Sequence, residues 1–82
     1  HQLAQLVGLS HHHFSQLFRH STGLSPYQYV IHCRVNRAKA LLKNSREPIA
    51  AIAHTVGFTD QSHLNRHFKR IVGVTPRQFR QG

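Results

Sequence analysis

Eighty-two residues accommodate one small hydrophobic core, and eleven Lys and Arg against two acids, Glu47 and Asp60, give a formal charge of +9 before any of the nine histidines is protonated. Such an excess repels itself and calls for a polyanion, nucleic acid ahead of an anionic membrane surface. One cysteine, Cys33, excludes an intramolecular disulfide and points to a reducing compartment, and no apolar run approaches the ~18 residues of a membrane span. No signal-peptide pattern opens the chain, so the expectation is a soluble, intracellular protein.

Residues 1–7, HQLAQLV, place Leu3, Leu6 and Val7 on one helical face. This helix reads as truncated, because its later counterpart begins near Pro48, and Ile49 would align ahead of His1. Gly8-Leu9-Ser10 supplies a turn, with Ser10 as N-cap. Within His11 to Ser21, Phe14, Leu17 and Phe18 form an apolar face, leaving His12, Ser15, Gln16 and Arg19 near the opposite one. Gly23 ends the helix, and Ser25-Pro26 starts the next as N-cap and first helical residue.

From Pro26 to about Lys43, Ile31, Val35, Ala38 and Leu42 recur at helical spacing, flanked by Val30 and Leu41, with Arg34, Arg37, Lys39 and Lys43 off the stripe. Cys33 is expected to be a small packing residue in this helix. Eighteen residues at about 1.5 Å each make a connector of roughly 27 Å. After a polar break, Pro48 opens a helix with Ile49, Ile52, Ala53 and Val56 on its buried stripe, and Gly57-Phe58-Thr59 repeats the earlier turn. Thr59 is expected to cap a helix reaching about Ile71, with Asp60 in its first turn. Leu64, Phe68 and Ile71 face inward; Gln61, Ser62, Asn65, Arg66 and Lys69 face outward with His63 beside them. Val72-Gly73-Val74 breaks the helix, and Thr75-Pro76 starts a short one carrying Arg77, Phe79 and Arg80.

The chain repeats itself. Ala4, Val7, Gly8 and Leu9 fall on Ala53, Val56, Gly57 and Phe58; one extra residue in the later turn then matches Phe14, Phe18, Gly23, Pro26 and Tyr29 with Leu64, Phe68, Gly73, Pro76 and Phe79. Two copies are too few for a solenoid, so they read as two modules joined by a connector. Each pairs a short apolar helix, through a glycine-bearing turn, with a polar and basic helix, which is the helix-turn-helix pattern.

The segments LAxxVGLSxxxFSxLFRxxxGLSPxxY, RVNRAKALL and IAAIAHTVGFTDQSHLNRHFKRIVGVTPRQFR together resemble the C-terminal DNA-binding domain of the AraC/XylS family of bacterial transcription regulators, over essentially the whole chain. The resemblance implies an all-α fold of two homeodomain-like tri-helical modules, here 1–25 and 44–82, joined by a long connecting helix, 26–43. It implies base contacts from His12, Ser15 and Gln16 in the first recognition helix and from Gln61, Ser62, His63 and Arg66 in the second. Arg19, Thr59, Lys69 and Arg77 are candidates for phosphate contacts. Glutamine suits the adenine donor–acceptor pair, and arginine suits guanine O6 and N7.

Recognition helices in successive major grooves lie about 34 Å apart, a spacing the connector and its flanking modules can supply within one chain. The expected partner is an asymmetric bipartite site on double-stranded DNA read by a monomer, with RNA polymerase a partner of the full-length protein. Activation is the family's tendency, and a cytoplasmic, nucleoid-associated location follows. Non-specific RNA or DNA binding is the alternative, with RNA disfavoured because Phe14, Phe18, Phe58 and Phe68 fall on core faces and leave no stacking platform. No cofactor or metal is expected: the adjacent histidines His11, His12 and His13 project about 100° apart, and His63 with His67 lacks further ligands. Two acids without a phosphate loop or a Ser–His–Asp set argue against an enzyme.

Overall fold

Helical periodicity governs the computed structural model of this protein, which describes residues 11–82, with side chains from Phe14 onward. Five helices follow one another among the described residues, with no strand: α1 (His11–Thr22), α2 (Pro26–Asn44), α3 (Ile49–Val56), α4 (Gln61–Val72) and α5 (Pro76–Gln81). The expectations for residues 1–10, including the first helix and the Ser10 cap, lie outside the described residues. Two compact units divide the chain, His1–Val30 and Ile31–Gly82.

In the first unit α1 ends at Gly23, whose φ of 77° lets its N–H turn back to the Arg19 carbonyl at 2.7 Å. Phe14 and Phe18 are half-buried and tilted together, 5.7 Å between ring centroids, and Phe18 meets Tyr29 edge-on at 5.3 Å. Leu17, expected beside them, is 55% exposed. It stands one residue, or about 100°, from Phe18, at the margin of the stripe rather than its centre.

The second unit holds the buried core. Ile31, Val35, Ala38 and Leu42 of α2 pack with Ile52, Ala53 and Val56 of α3, Phe58 of the following turn, and Leu64 and Phe68 of α4. Each fully buried Leu, Ile or Phe contributes about 1.5–3 kcal/mol relative to exposure. Cys33 is exposed, against the expectation of a packing residue. Two positions separate it from both Ile31 and Val35, and this rotates it about 200° from the buried stripe.

Local chemistry fixes the helix ends. Ser25 and Gln28 bond reciprocally, the Gln28 N–H to Ser25 Oγ at 3.2 Å and the Ser25 N–H to Gln28 Oε1 at 2.9 Å. Thr75 and Gln78 do the same at 3.1 and 2.9 Å, so both modules start their Pro-led helices with one capping box. Pro48 is itself the N-cap of α3, which begins one residue later than expected.

The cap of α4 corrects the sequence reading. Asp60, not Thr59, is the N-cap, its Oδ1 accepting the His63 N–H at 2.8 Å. The extra residue in the later turn moves the cap one place along, so that α4 starts fifty positions after α1. An acidic cap also complements the positive end of the macrodipole.

Arg80 ties α5 to the end of α2. Its Nε donates to the Leu42 carbonyl at 3.1 Å and its Nη2 to the Ser45 carbonyl at 3.3 Å, satisfying acceptors left over at a helix C-terminus. Lys43 places its Nζ 4.8 Å from the Phe79 ring centroid beside this junction. Replacing Arg80 with alanine is expected to cost about 1–2 kcal/mol, read as a lower urea midpoint at unchanged m-value. An unchanged midpoint would show that water serves those carbonyls equally well.

Candidate nucleic-acid interface

The sequence of α4, QSHLNRHFKRIV, contains no acid and divides sharply around the helix. Leu64 and Phe68 lie in the core, Ile71 and Val72 flank it, and Gln61, Ser62, Arg66, Lys69 and Arg70 are exposed. Arg66 and Arg70, one turn apart, share a face with Ser62. Arg70 was not singled out in the sequence, although its spacing of four from Arg66 marks it. At the N-terminus Asp60 takes the His63 N–H, leaving the N–H groups of Gln61 and Ser62 free of intrahelical partners. Such groups suit an anion.

His63 is half-buried rather than freely outward. It meets the Phe58 ring edge-on, 5.2 Å between centroids, and His67 stacks on the same ring at 5.7 Å with 21° between planes. Arg70 Nη2 lies 2.8 Å from His67 Nδ1, which must accept because a guanidinium only donates. The proton of neutral His67 is thereby assigned to Nε2. Burial, followed by the charges of His63, Arg70 and Arg66, lowers the pKa of His67 below its ordinary value of 6.5. Chelation by the His63–His67 pair through Nε2 would need the proton on Nδ1, against the Arg70 donor. No group of three His, Cys, Asp or Glu able to hold a metal stands together among the described residues. Asn65, expected to face outward, is half-buried with its Oδ1 enclosed and unpartnered; three residues from Phe68, it borders the core stripe.

Gln61 and Arg77 line one shallow groove with Pro48, Ile49 and Arg80, so that the starts of α3, α4 and α5 converge there. Thr59 is exposed just before α4, and its N–H approaches His63 Nδ1 at 3.5 Å. On α1, Gln16 and Arg19 are exposed and Ser15 is half-buried, while the side chain of His12 lies outside the described residues.

A family model described as a helix-turn-helix domain matches residues 3–82. The arabinose operon regulatory protein of Salmonella typhimurium is 41% identical over 80 residues, 98% of this chain and 28% of that protein. An AraC-type regulator from Chromobacterium violaceum superposes with a TM-score of 0.88 at 30% identity, covering 98% of this chain and 71% of that one. The DNA-binding domain of AdpA, solved in complex with a target DNA, gives 0.85 at 34% identity, covering 98% and 72%. The chain belongs to the AraC/XylS family of helix-turn-helix DNA-binding domains. It spans a little over a quarter of the length of the curated relatives it matches.

In this AraC-type domain α3, the Gly57 turn and α4 form the second helix-turn-helix. The described residues include no helix long and apolar enough to cross a membrane. The His67 environment gives the module a pH dependence. Because folding lowers the proton affinity of His67, the unfolded chain binds more protons below about pH 6.5, and stability falls as the pH drops through that range. Above it His67 is neutral in both states and this loss is absent. We expect the urea midpoint to fall between pH 7.5 and 5, and His67→Gln to flatten part of that slope. An identical slope in the variant would remove His67 as its source.

Proposed function

We infer that this chain is the DNA-reading domain of a bacterial transcription regulator and that its two helix-turn-helix modules read one asymmetric, bipartite site as a monomer. The observation that carries this reading is α4: an acid-free helix, locked into the core by Leu64 and Phe68, that presents amide, hydroxyl and guanidinium groups to solvent. Membership of a DNA-binding family supports the same conclusion. The layout is a first module over 1–25, a connecting helix over 26–43 and a second module over 44–82. Two adjacent grooves about 34 Å apart would be read on one face of the duplex.

Base reading falls to Gln61, Ser62, His63 and Arg66 in the second module and to His12, Ser15 and Gln16 in the first. Arg19, Thr59, Lys69 and Arg77 take phosphates, with Arg77 beside Gln61 in their shared groove. The domain is not an enzyme: of its two acids, Asp60 is committed to capping α4. The whole regulator works in the cytoplasm on the nucleoid, as an activator that engages RNA polymerase.

Selection from randomised duplex DNA at near-physiological salt tests the reading. Enrichment of one asymmetric site with two motifs a helical turn apart is the expected result; tight binding at low salt with no enrichment would leave an electrostatic nucleic-acid binder. On the selected site, Arg66→Ala should cost about 1–3 kcal/mol, concentrated at one base position. Equal loss on random DNA would contradict base reading by Arg66. Lys69→Ala should weaken all duplexes alike and reduce the salt slope by about one; an unchanged slope would remove Lys69 from the phosphate contacts.

A further inference from the structure

Arg34 occupies the turn between α3 and α4 from the side of α2, and none of the roles assigned above uses it. A Cβ added to Gly57 would lie 2.9 Å from Arg34 Nε, 3.2 Å from Cζ and 3.5 Å from Cδ. The half-buried guanidinium therefore fills the space that the glycine leaves open. Gly57 itself sits at φ 105°, its N–H donating to the His54 carbonyl at 3.2 Å, while the Phe58 N–H reaches the Ala53 carbonyl at 2.9 Å. Among the described residues the arginine side chains that hydrogen-bond are Arg70 and Arg80, whereas Arg34 lies against Gly57.

The position of this turn matters to α4. Phe58 follows Gly57 directly, is 2% exposed, and carries both His63 and His67 of α4 against its ring. A shift of the turn passes through Phe58 to the rotation of α4 about its own axis. A rotation of about 20° moves a side chain roughly 6 Å from the axis by about 2 Å. That is enough to break a hydrogen bond to a base edge.

We propose that Arg34 is a positioning residue for DNA reading: seated on Gly57, it clamps the turn to α2 and so fixes the rotation of α4. The inference rests on the DNA-reading function above and assigns Arg34 no contact with DNA. A side chain at Gly57 would meet the far end of Arg34 and push it from its seat, in addition to the strain set by the positive φ.

Arg34→Ala, with Arg34→Met as the variant that keeps an apolar stem should alanine prevent folding, separates the possibilities. At matched folded fraction, the ratio of affinity for the selected site over random duplex should fall about tenfold, the order of one mismatched base pair, with the salt slope unchanged. Amide hydrogen exchange without DNA should quicken at Gly57 and Phe58 and stay the same at Phe79 and Gly82. The urea midpoint lost on Gly57→Ala should be smaller in the Arg34→Ala background than in wild type, the signature of coupled neighbours.

An unchanged affinity ratio together with unchanged exchange overturns the clamp. So does a salt slope lower by about one, which makes Arg34 a phosphate donor. If wild type selects no site, it is DNA reading that fails. The exchange and midpoint measurements then still decide whether Arg34 holds the turn.

Discussion

The burial of Leu64 and Phe68 is the constraint on which the second module depends. These side chains enter a core built by α2 and α3, and with them the face that α4 turns inward is set. Everything polar on that helix inherits its placement from two apolar anchors. Deleting Phe68, the largest fully buried side chain, would cost several times what any single surface contact contributes. The polar face of α4 is thus the remainder of a packing solution: the residues left exposed are those the core does not take.

The connecting helix has a double part in this arrangement. One face supplies Ile31, Val35, Ala38 and Leu42 to the core, and another carries Arg34 to the turn below α4. Its far end is received by Arg80, so α5 closes on α2 through hydrogen bonds rather than apolar contact alone. A short helix that could not persist alone in water is held by a capping box at its start and by this junction near its end. Small domains have little apolar surface to bury, and such local devices carry a larger share of their definition.

Much of this was legible in one dimension. The Ser-Pro and Thr-Pro starts and the glycine ends are local signals, and the structure places helix boundaries within one or two residues of them. The four-residue stripe of α2 was equally plain. What escaped was of two kinds. Leu17 and Asn65 were misjudged because periodicity gives the centre of a buried face more securely than its margin, whereas Cys33 was assigned by residue type although its spacing sets it opposite the stripe. Asp60 and Arg34 escaped because their roles depend on neighbours: the inserted turn residue moves the cap, and Arg34 acts across twenty-three positions of sequence. Of the residues proposed to touch DNA, the exposure of Gln61, Ser62 and Arg66 follows from spacing alone, whereas the partial burial of His63 reflects Phe58, a residue outside the helix.

The scarcity of acids has a consequence beyond partner choice. With eleven Lys and Arg facing two acids, one of them spent on a helix cap, the free domain carries charge that its own side chains do not neutralise. Dissolved salt screens that repulsion and favours the compact state, while the same ions compete with the domain for DNA phosphates. Ionic strength therefore acts with opposite sign on the two properties. The solution that best steadies the empty domain is the one in which it holds its ligand least, and DNA becomes a stabilising counterion most needed where salt is low.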